Sequence, residues 1–311
     1  MSKVWLITGS ASGLGLDIAE AVLASGDRLV ATARNPKLLA GLVDRYGDRV
    51  RAAALDVADS QAAQSAVQLA VDAFGRLDVL VNNAGYAHMA PFEQLDAQDF
   101  RAQIETNLFG VVNVTRAALP VMRRQRSGHI IQISSVGGRT GTPGLSAYQA
   151  AKWAVGGFTE VLAREVGHLG IKVTAVEPGG MQTNWANRAA TDVPPIEPDY
   201  AASVGAIMKM LEQYRDHSAG DPKKVAEVIV KLAAHAAPPE HLLLGSDAFY
   251  FASQADADRT ATGKVWQPVS VSTDFAAPGP IPELPAPRPG NPTQWLFESF
   301  AALQAARSVK Q

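Results

Sequence analysis

The sequence predicts an α/β protein built on one doubly wound parallel sheet, and three observations support this fold class. Short apolar runs alternate six times with longer tracts in which apolar residues recur at helical spacing. The runs are apolar almost throughout, as strands are when helices cover both faces of a parallel sheet. Glycines stand where the first run meets the first helical tract, between Gly9 and Gly15. Crossovers between such strands are expected to be right-handed.

The predicted elements follow one another in a regular order. The apolar runs give six strands and a short last one: KVWLIT, RLVATA, VRAAALDV, LDVLVNN, HIIQIS, KVTAVEP and HLLLG. The helical tracts carry the expected start and stop signals, since Pro36 lies in the first turn of the second tract and glycines end the first and third. In a Rossmann-like order of this kind, ligands bind at the carboxyl ends of the strands.

Composition and charge exclude several classes of function. The chain has 311 residues, of which 47% are hydrophobic and 19% are charged, so it is long enough for one large core. Its formal net charge of -2 gives no basic bias toward nucleic acid or an anionic membrane. The absence of cysteine excludes disulfides, thiolate zinc sites and cysteine nucleophiles. We expect a cytoplasmic protein without a signal peptide, a membrane span or a bound metal.

After Pro178 the alternation loosens, and two further segments are predicted. Within a main domain of residues 1–275, residues 181–220 are expected to form a lid over the sheet edge. Residues 276–311 begin with a proline-rich stretch that suits neither a helix nor an interior strand, and they end in a short helix containing WLFESF. We expect this C-terminal arm to pack over its own or a neighbouring subunit, with that helix as the anchor.

The first turn between strand and helix, TGSASGLG (Thr8 to Gly15), favours a bound nucleotide. Glycine lets the backbone turn sharply and approach a pyrophosphate, whose charge then faces the helix N-terminus. The spacing of Gly9, Gly13 and Gly15 differs from that of the commoner dinucleotide fingerprint. A simple turn of small residues is the alternative, and the position in the first βα unit favours the nucleotide.

The end of the second strand indicates which nucleotide is preferred. Folds that bind NAD usually place an acidic residue there, about 20 residues after the glycines, to hold the ribose 2′-hydroxyl. Here Ala33 is followed by Arg34, which pairs with a 2′-phosphate that an acid would repel. We therefore predict NADP(H) in preference to NAD(H), with a surface arginine as the alternative. Asp56 follows the third strand and either binds the adenine amine or serves in a turn.

Tyr148 and Lys152 raise a question of chemistry, because they lie four residues apart in a stretch without proline or glycine. In a helix, both side chains rise from one face. A phenol with a pKa of about 10 is a poor acid or base near neutrality, and a cation within about 4–6 Å lowers that pKa. The spacing alone does not distinguish a proton-transfer pair from an ordinary tyrosine and lysine.

The polar residues at the strand ends answer that question through a resemblance. NNAG closes the fourth strand, ISS the fifth and EPGGMQT the sixth, while Asn107 lies in mid-helix, where asparagine is a poor helix former. Together with the glycine turn and the Tyr148–Lys152 pair, these motifs resemble the short-chain dehydrogenase/reductase family over roughly Lys3 to Gly263. The strand end ATAR and the order of the segments are similar to an NADP-using branch with 17β-hydroxysteroid and retinol-type reductases.

The resemblance implies a catalytic tetrad of Asn107, Ser135, Tyr148 and Lys152. Tyr148 would be the general acid in carbonyl reduction and the general base in alcohol oxidation. Lys152 would lower the pKa of Tyr148 and bind the nicotinamide ribose, and Asn107 would hold a water in a proton relay. Ser135, thirteen residues before Tyr148, would bind the substrate oxygen, which the family pattern assigns to it rather than to Ser134.

The resemblance also implies the residues that bind cofactor and substrate. The expected cofactor residues are Gly9, Ser10, Ser12, Gly13, Leu14, Gly15, Arg34, Asp56, Val57, Asn83, Ala84, Gly85, Tyr148, Lys152, Pro178, Gly179, Met181 and Thr183. The expected pocket residues, besides Ser135 and Tyr148, are His88, Met89, Val136, Leu145, Met181 and Trp185. Their apolar character favours a lipophilic ketone, aldehyde or alcohol, with ordinary core packing as the alternative, and His88 is interpreted as a loop residue rather than a second acid.

Two other readings compete with an oxidoreductase that acts on a small molecule. One is a nucleotide-binding regulatory or scaffold protein, which would not need the tetrad as a set. The other is a lyase or epimerase with a bound cofactor, which usually has a different glycine spacing. The resemblance further implies a homodimer or homotetramer built on the helices that carry Asn107 and Tyr148.

Overall fold

The computed structural model describes residues 2–183, 189, 191, 193–214, 218–276, 279–287 and 294–308. It contains a seven-stranded, fully parallel sheet in the order β3-β2-β1-β4-β5-β6-β7, which confirms the predicted fold class. The strands are β1 Val4–Ile7, β2 Arg28–Ala33, β3 Val50–Ala54, β4 Val79–Asn82, β5 Gly128–Ile133, β6 Ile171–Pro178 and β7 His241–Leu244. Each predicted apolar run, including HLLLG, forms its strand.

Helices connect the strands. They are α1 Gly13–Ala24, α2 Ala40–Tyr46, α3 Ser60–Phe74, α4 Ala97–Ile104, α5 Gly110–Gln125, α6 Ser146–Val166, α7 Ala206–Tyr214, α8 Pro222–Ala234, α9 Ser246–Val271 and α10 Gln294–Ser308. Aspartates begin three of them, because the side chains of Asp59, Asp96 and Asp221 accept backbone N–H groups of the first turn. No described helix has the length and hydropathy needed to cross a membrane.

The core consists of two apolar layers, one on each face of the sheet. Neighbouring residues of β1 show the division: Trp5 packs among α1, α2 and α8, whereas Leu6 packs among α3, α5 and α6. This follows from the alternation of side chains along a strand. Both side chains are fully buried, and a buried side chain the size of leucine stabilises the fold by about 1.5–3 kcal/mol.

The strand order determines where a ligand can bind. β1 pairs with β2 on one side and with β4 on the other, so the chain direction across the sheet reverses at β1. At such a switch point, the loops after β1 and β4 separate and leave a crevice at the carboxyl ends of the strands. The glycine turn follows β1 and NNAG closes β4, so both motifs lie at this crevice.

The chain divides into two compact units, Met1–Ala248 and Phe249–Gln311. The second unit therefore begins within α9, before the arm predicted at 276–311. Inside this unit the predicted anchor helix is α10, and the rings of Phe251 and Phe300 lie with their centres 4.7 Å apart. Residues 279–287 of the proline-rich stretch form no helix or strand. The packing of the arm over a neighbouring subunit stays a prediction.

Candidate active site

The glycine turn after β1 is tight, and its glycines are needed for different reasons. Gly9 and Gly13 have φ angles of 69° and 56°, in the left-handed region that favours glycine. A Cβ on Gly15 would lie 2.3 Å from the Gly9 carbonyl oxygen, so only glycine lets α1 start against the turn. Around Gly13, no described atom lies within 4 Å of a Cβ position, so the turn is open on that side.

The end of β4 holds this turn in place. Thr8 Oγ1 accepts the N–H groups of Asn83 and Ala84, both at 2.9 Å, and Asn83 Nδ2 donates to the Thr8 carbonyl at 2.9 Å. A side chain larger than that of glycine does not fit at Gly85, because a Cβ there would lie 2.5 Å from Asn107 Oδ1. Asn83 and Ala84 therefore tie the two loops of the crevice together.

The two serines of the turn differ in environment. Ser10 is fully buried, its hydroxyl donates to the Ile7 carbonyl at 2.8 Å, and its N–H donates to the Thr32 carbonyl at 2.8 Å. Both donors of Ser10 therefore bind protein atoms, and the cofactor contact expected from Ser10 stays a prediction. Ser12 is exposed at the N-cap of α1, and its side chain makes no capping hydrogen bond. Two residues later, Leu14 is buried in the core.

Arg34, Asp56 and Val57 follow β2 and β3 at the same edge. Arg34 is exposed directly after β2. Asp56 Oδ1 accepts the Ala58 N–H at 3.0 Å, as in a turn, and its contact with the adenine amine stays a prediction. Both charges act on Tyr86, whose pKa is raised mainly by burial, while Arg34 opposes this rise and Asp56 adds to it. Val57 is buried in the core.

Asn107 lies in a π-helical turn, Glu105–Phe109, between α4 and α5. Such turns occur frequently at functional sites. The side chain is fully buried, and its Nδ2 donates to the carbonyls of Tyr86 and Gln103, each at 2.8 Å, while its Oδ1 accepts the Tyr86 N–H at 3.2 Å. Asn107 therefore fixes the loop that leaves NNAG.

The structure distinguishes the two serines after β5. Ser134 is buried, and its hydroxyl donates to the Lys152 carbonyl at 3.4 Å. Ser135 begins a 3₁₀ turn, Val136–Gly138, in which its Oγ accepts the Gly137 N–H at 3.0 Å. The hydroxyls of Ser135 and Tyr148 are hydrogen-bonded to each other. Ser135, rather than Ser134, therefore stands beside Tyr148.

Tyr148 and Lys152 both lie on α6 and are both buried. Lys152 Nζ lies 5.5 Å from the centre of the Tyr148 ring and donates to the Ile133 carbonyl at 2.8 Å. Burial raises the pKa of Tyr148 to about 12, which the hydrogen bond with Ser135 partly offsets. Burial lowers the pKa of Lys152 to about 8. The lowering of the Tyr148 pKa expected from Lys152 is not seen in this arrangement, in which burial is the largest cause of the shift.

The strand end after β6 is held by a residue that sequence reasoning missed. Gly179 N–H donates to the Leu244 carbonyl at 2.9 Å, and Gly180 N–H donates to Asp247 Oδ2 at 2.8 Å. A Cβ on Gly179 would lie 2.3 Å from Asp247 Oδ1, so the glycine lets this buried carboxylate approach. Met181 and Thr183 follow, and Thr183 N–H donates to the Met181 carbonyl at 2.8 Å.

The two ends of the predicted lid, residues 181–220, are joined by backbone hydrogen bonds between Gly220 and residues Gly180 and Gln182. Gly220 N–H donates to the Gly180 carbonyl at 2.9 Å, and Gln182 N–H donates to the Gly220 carbonyl at 3.3 Å. Between these points, the segment contacts the loop after β4, because the Ala189 carbonyl accepts the Met89 N–H at 3.0 Å.

Met89, and Gly144 next to Leu145, lie against this segment. Met89 and Leu145 are buried, and Val136 is half-buried. A Cβ on Gly144 would lie 2.9 Å from a methyl group of Val204, which is buried on the predicted lid. Trp185 lies outside the described residues.

His88 belongs to a ring of hydrogen bonds that the sequence analysis did not predict. His88 Nδ1 lies 2.9 Å from Asp99 Oδ1, Gln103 Nε2 donates to Asp99 Oδ2 at 3.1 Å, and Gln103 Oε1 accepts the His88 N–H at 3.1 Å. Asp99, Gln103 and Asn107 follow one another at intervals of four along the chain. That spacing is a sequence signal for one polar helix face, and it leads from His88 to the tetrad.

Comparison with protein families places most of the chain in one group. Residues 3–194 match the family of short chain dehydrogenases. "Oxidoreductase BOA17" of Botryotinia fuckeliana is 48% identical over 274 residues, covering 88% of this chain and all of that protein. A "3-ketodihydrosphingosine reductase" of Bacteroides thetaiotaomicron is 36% identical over 244 residues, 78% of this chain and 88% of that one.

Solved structures show the same similarity. A short-chain dehydrogenase from Streptomyces avermitilis is 40% identical, with a TM-score of 0.82 over 88% of this chain and all of that one. A metagenomic short-chain oxidoreductase in complex with NADP is 27% identical, with a TM-score of 0.63 over 78% of this chain and 97% of that one. A 3-ketoacyl-(acyl-carrier-protein) reductase from Brucella melitensis, complexed with NADH, is 26% identical, with a TM-score of 0.68 over 78% and 96%.

Proposed function

Because this chain belongs to the short-chain dehydrogenase/reductase family of oxidoreductases, we propose that it is an NADP(H)-dependent enzyme that interconverts a carbonyl and an alcohol on a small, lipophilic substrate. The observation that carries this proposal is the arrangement of Ser135, Tyr148 and Lys152. The two hydroxyls are hydrogen-bonded and the lysine lies against the tyrosine ring, at the sheet edge where the glycine turn opens. A scaffold protein would not require this arrangement.

The residues present fit a nicotinamide dinucleotide. The first turn of α1 begins at Gly13, where no described atom lies within 4 Å of a Cβ position, so a pyrophosphate can approach the N–H groups of this turn. Thr183 and the backbone after Gly179 are the groups proposed to hold the nicotinamide end. When bound, the cofactor supplies the hydride, and the protein supplies orientation and the proton.

Tyr148 is suited to donate a proton to a carbonyl oxygen. With a pKa of about 12, the phenol is protonated at neutral pH and acts as the acid in reduction. Ser135 lies beside it and donates a hydrogen bond to the same substrate oxygen as negative charge develops there. Alcohol oxidation needs the phenolate, which a closer approach of the Lys152 ammonium would favour.

Asn107 has no side-chain N–H left to donate to a water molecule in a proton relay. Both of its amide hydrogens are donated to carbonyls of the protein. A relay water next to Asn107 can therefore be held only by an oxygen atom of this residue. The side chain itself keeps the loop after NNAG at the π-helical turn.

Arg34 supports a preference for NADP(H). Arg34 is exposed immediately after β2, where the 2′-phosphate of NADP would lie. The strand end ATAR contains no acidic residue that would repel this phosphate. Similar structures contain either NADP or NADH, so the preference rests on Arg34 itself.

The pocket residues favour a lipophilic substrate. Met89 and Leu145 are buried and apolar, the Met89 backbone contacts the predicted lid at Ala189, and methionine adapts to irregular shapes. One relative is named for the reduction of 3-ketodihydrosphingosine, which is a ketone. We therefore propose a ketone, an aldehyde or the corresponding secondary alcohol with an apolar body.

We further propose a homodimer or homotetramer built on α5 and α6. Trp153 and Val161 on α6 are 45% and 55% exposed, and Phe109, next to α5, is 46% exposed. Trp153, Gly157 and Val161 follow one another at helical spacing, so they form an exposed stripe. Sedimentation of the wild type and of Trp153→Glu tests this, and a wild-type monomer would contradict it. We also propose a cytoplasmic location, since the chain has no cysteine.

The oxidation of NADPH in the presence of a panel of ketones and aldehydes tests the proposed activity. The wild type is expected to oxidise NADPH with at least one apolar carbonyl, and Tyr148→Phe, which binds NADPH but lacks the acid, is the inactive control. Binding of NADPH without turnover of any carbonyl would favour a nucleotide-binding scaffold instead.

A further inference from the structure

A group of charged side chains outside the proposed chemistry contacts three of the elements that carry it. Glu177 directly precedes Pro178 in β6, and its side chain is 1% exposed. A buried carboxylate is unfavourable unless it is paired and hydrogen-bonded, so its partners determine how it is held. Those partners are Arg139 and His241.

Arg139 ties Glu177 to the turn that carries Ser135. Its Nε lies 3.2 and 3.1 Å from the two carboxylate oxygens of Glu177. The backbone N–H of Arg139 also donates to the Val136 carbonyl at 2.8 Å, and this bond closes the 3₁₀ turn that follows Ser135. The backbone ladder between β5 and β6 reaches only to the Ser134 N–H, which donates to the Val176 carbonyl at 2.8 Å. The side-chain pair therefore continues the connection past the point where the two strands part.

His241 ties Glu177 to α6. Its Nδ1 lies 2.7 Å from Glu177 Oε1, and its Nε2 lies 3.0 Å from Glu160 Oε1. Glu160 is on α6, eight residues after Lys152. A Cβ on Gly156 would lie 3.5 Å from His241 Cε1, so the ring sits directly against this helix. Because both ring nitrogens face carboxylate oxygens, both hydrogen bonds form only when the imidazole carries two protons.

We propose that Glu177, together with Arg139 and His241, is a positioning cluster that holds three elements of the site in register: the Ser135 turn, α6 and the Pro178 strand end. This inference rests on the proposed function, since it concerns the same site. The three side chains act through the backbone that they connect. Ser135 and Tyr148 then keep the mutual geometry that transfer to a carbonyl requires, because a small misplacement of reacting groups is costly.

The cluster also makes the geometry sensitive to pH. The charged groups facing His241 are Glu177 from β6, Glu160 from α6 and Arg139 from the turn; Arg164 in turn lies 3.5 Å from Glu160. The hydrogen bond with Glu177 is the main cause that raises the pKa of His241 above its ordinary value of 6.5. The tie to α6 is therefore complete at acidic pH, and it is lost as pH rises through the raised pKa.

The test uses Arg139→Met and Arg139→Lys, with Arg76→Met as the matched control. Arg76 pairs with Asp78 at 2.6 Å, but it does so at the amino ends of the strands. Two quantities are measured: amide hydrogen exchange of the peptide from Ser135 to Leu145, and kcat with the best carbonyl of the panel. Arg139→Met is expected to exchange faster in that peptide and to lose at least fivefold in kcat, with Arg139→Lys recovering part of both. Arg76→Met lowers Tm but leaves both quantities as in the wild type.

Each result decides the matter. Wild-type exchange in Arg139→Met, or faster exchange with an unchanged kcat, overturns the proposal. If the wild type turns over no carbonyl, the proposed function fails, and the exchange of the Ser135–Leu145 peptide still tests the cluster. A second readout is the ratio of kcat between wild type and His241→Asn, which is expected to approach one as pH rises through the raised pKa. A ratio independent of pH contradicts the role of His241.

Discussion

The amino edge and the carboxyl edge of the sheet both carry polar side chains, and they use them in opposite ways. At the amino edge, side chains close the strand ends: Asp78 accepts the Val4 N–H at 2.9 Å, and Asp27 accepts the Lys3 N–H and the Trp5 indole N–H, both at 2.8 Å. Gln125 likewise pairs with both the N–H and the carbonyl of Leu77.

At the carboxyl edge, the strand ends lead into an open crevice. The turn after β1 has two glycines with positive φ, the loop after β4 is fixed by a π-helical turn, and a buried lysine lies beside a buried tyrosine. Strained or desolvated groups of this kind persist only where surrounding structure holds them, and they concentrate at functional sites. The comparison teaches that side chains at the amino edge stabilise the sheet by closing its strand ends, whereas the carboxyl edge leaves its strand ends open for the proposed chemistry.

The largest expected effect separates the two neighbouring serines of the carboxyl edge. Ser135→Ala removes the hydroxyl beside Tyr148 and is expected to lower kcat by about 10²–10³, the usual cost of losing one donor to a developing oxyanion. Ser134→Ala removes a hydroxyl that bonds only the Lys152 carbonyl among described partners, and it should change kcat by less than about fivefold. Steady-state kinetics with both variants measure the difference. Equal losses would contradict the assignment.

The glycine turn offers the next effect. In Gly15→Ala, the new Cβ would clash with the Gly9 carbonyl, so the turn must move, and NADPH binding is expected to weaken at least tenfold, or about 1.4 kcal/mol. Gly41→Ala is the matched control, because no described atom lies within 4 Å of that Cβ position in α2. Fluorescence titration with NADPH compares the variants. Wild-type affinity in Gly15→Ala would show that the turn does not contact the cofactor.

The amino edge should respond in stability alone. Asp78→Ala leaves the Val4 N–H and Arg76 without their carboxylate, and we expect the free energy of unfolding to fall by about 2 kcal/mol. Affinity for NADPH should stay within about twofold of the wild type, since the site lies at the other edge. Urea unfolding and cofactor titration of the same sample check both parts, and a large loss of affinity would break the comparison.

The buried lysine predicts a pH effect on stability. The pKa of Lys152 is about 8 when folded and 10.5 ordinarily, so the unfolded chain binds more protons between these values. The free energy of unfolding of the wild type should therefore rise with pH in this window relative to Lys152→Met, by about 2 kcal/mol between pH 8 and about pH 9.5. Above about pH 10, Tyr148 acts in the opposite sense, because its pKa is raised. Parallel curves for the two proteins would contradict the lowered pKa.

Much of the fold could be predicted from sequence because its signals are local. The apolar runs, the glycine stops and the tetrad spacing lie within single elements, and the predicted strands all formed. The positions of Asp247 and Glu177 could not be predicted, because each of these residues acts on segments distant in the chain. Gln103 carries a sequence signal in its spacing from Asp99 and Asn107, but its contact with His88 depends on how the loop after β4 folds. The pKa of Tyr148 differs from the expectation for a related reason: helical spacing brings Lys152 near, but the burial that raises this pKa depends on the surrounding elements.

The central claim is that the carboxyl edge binds NADP(H), and titration of the purified protein with NADPH and with NADH tests it most directly. We expect NADPH to bind at least tenfold more tightly, a gap of about 1.4 kcal/mol, and Arg34→Ala to remove that gap. Arg45→Ala, which breaks an exposed pair with Glu20 elsewhere on the surface, should leave the gap intact. If neither nucleotide binds the wild type, the account of this edge is contradicted.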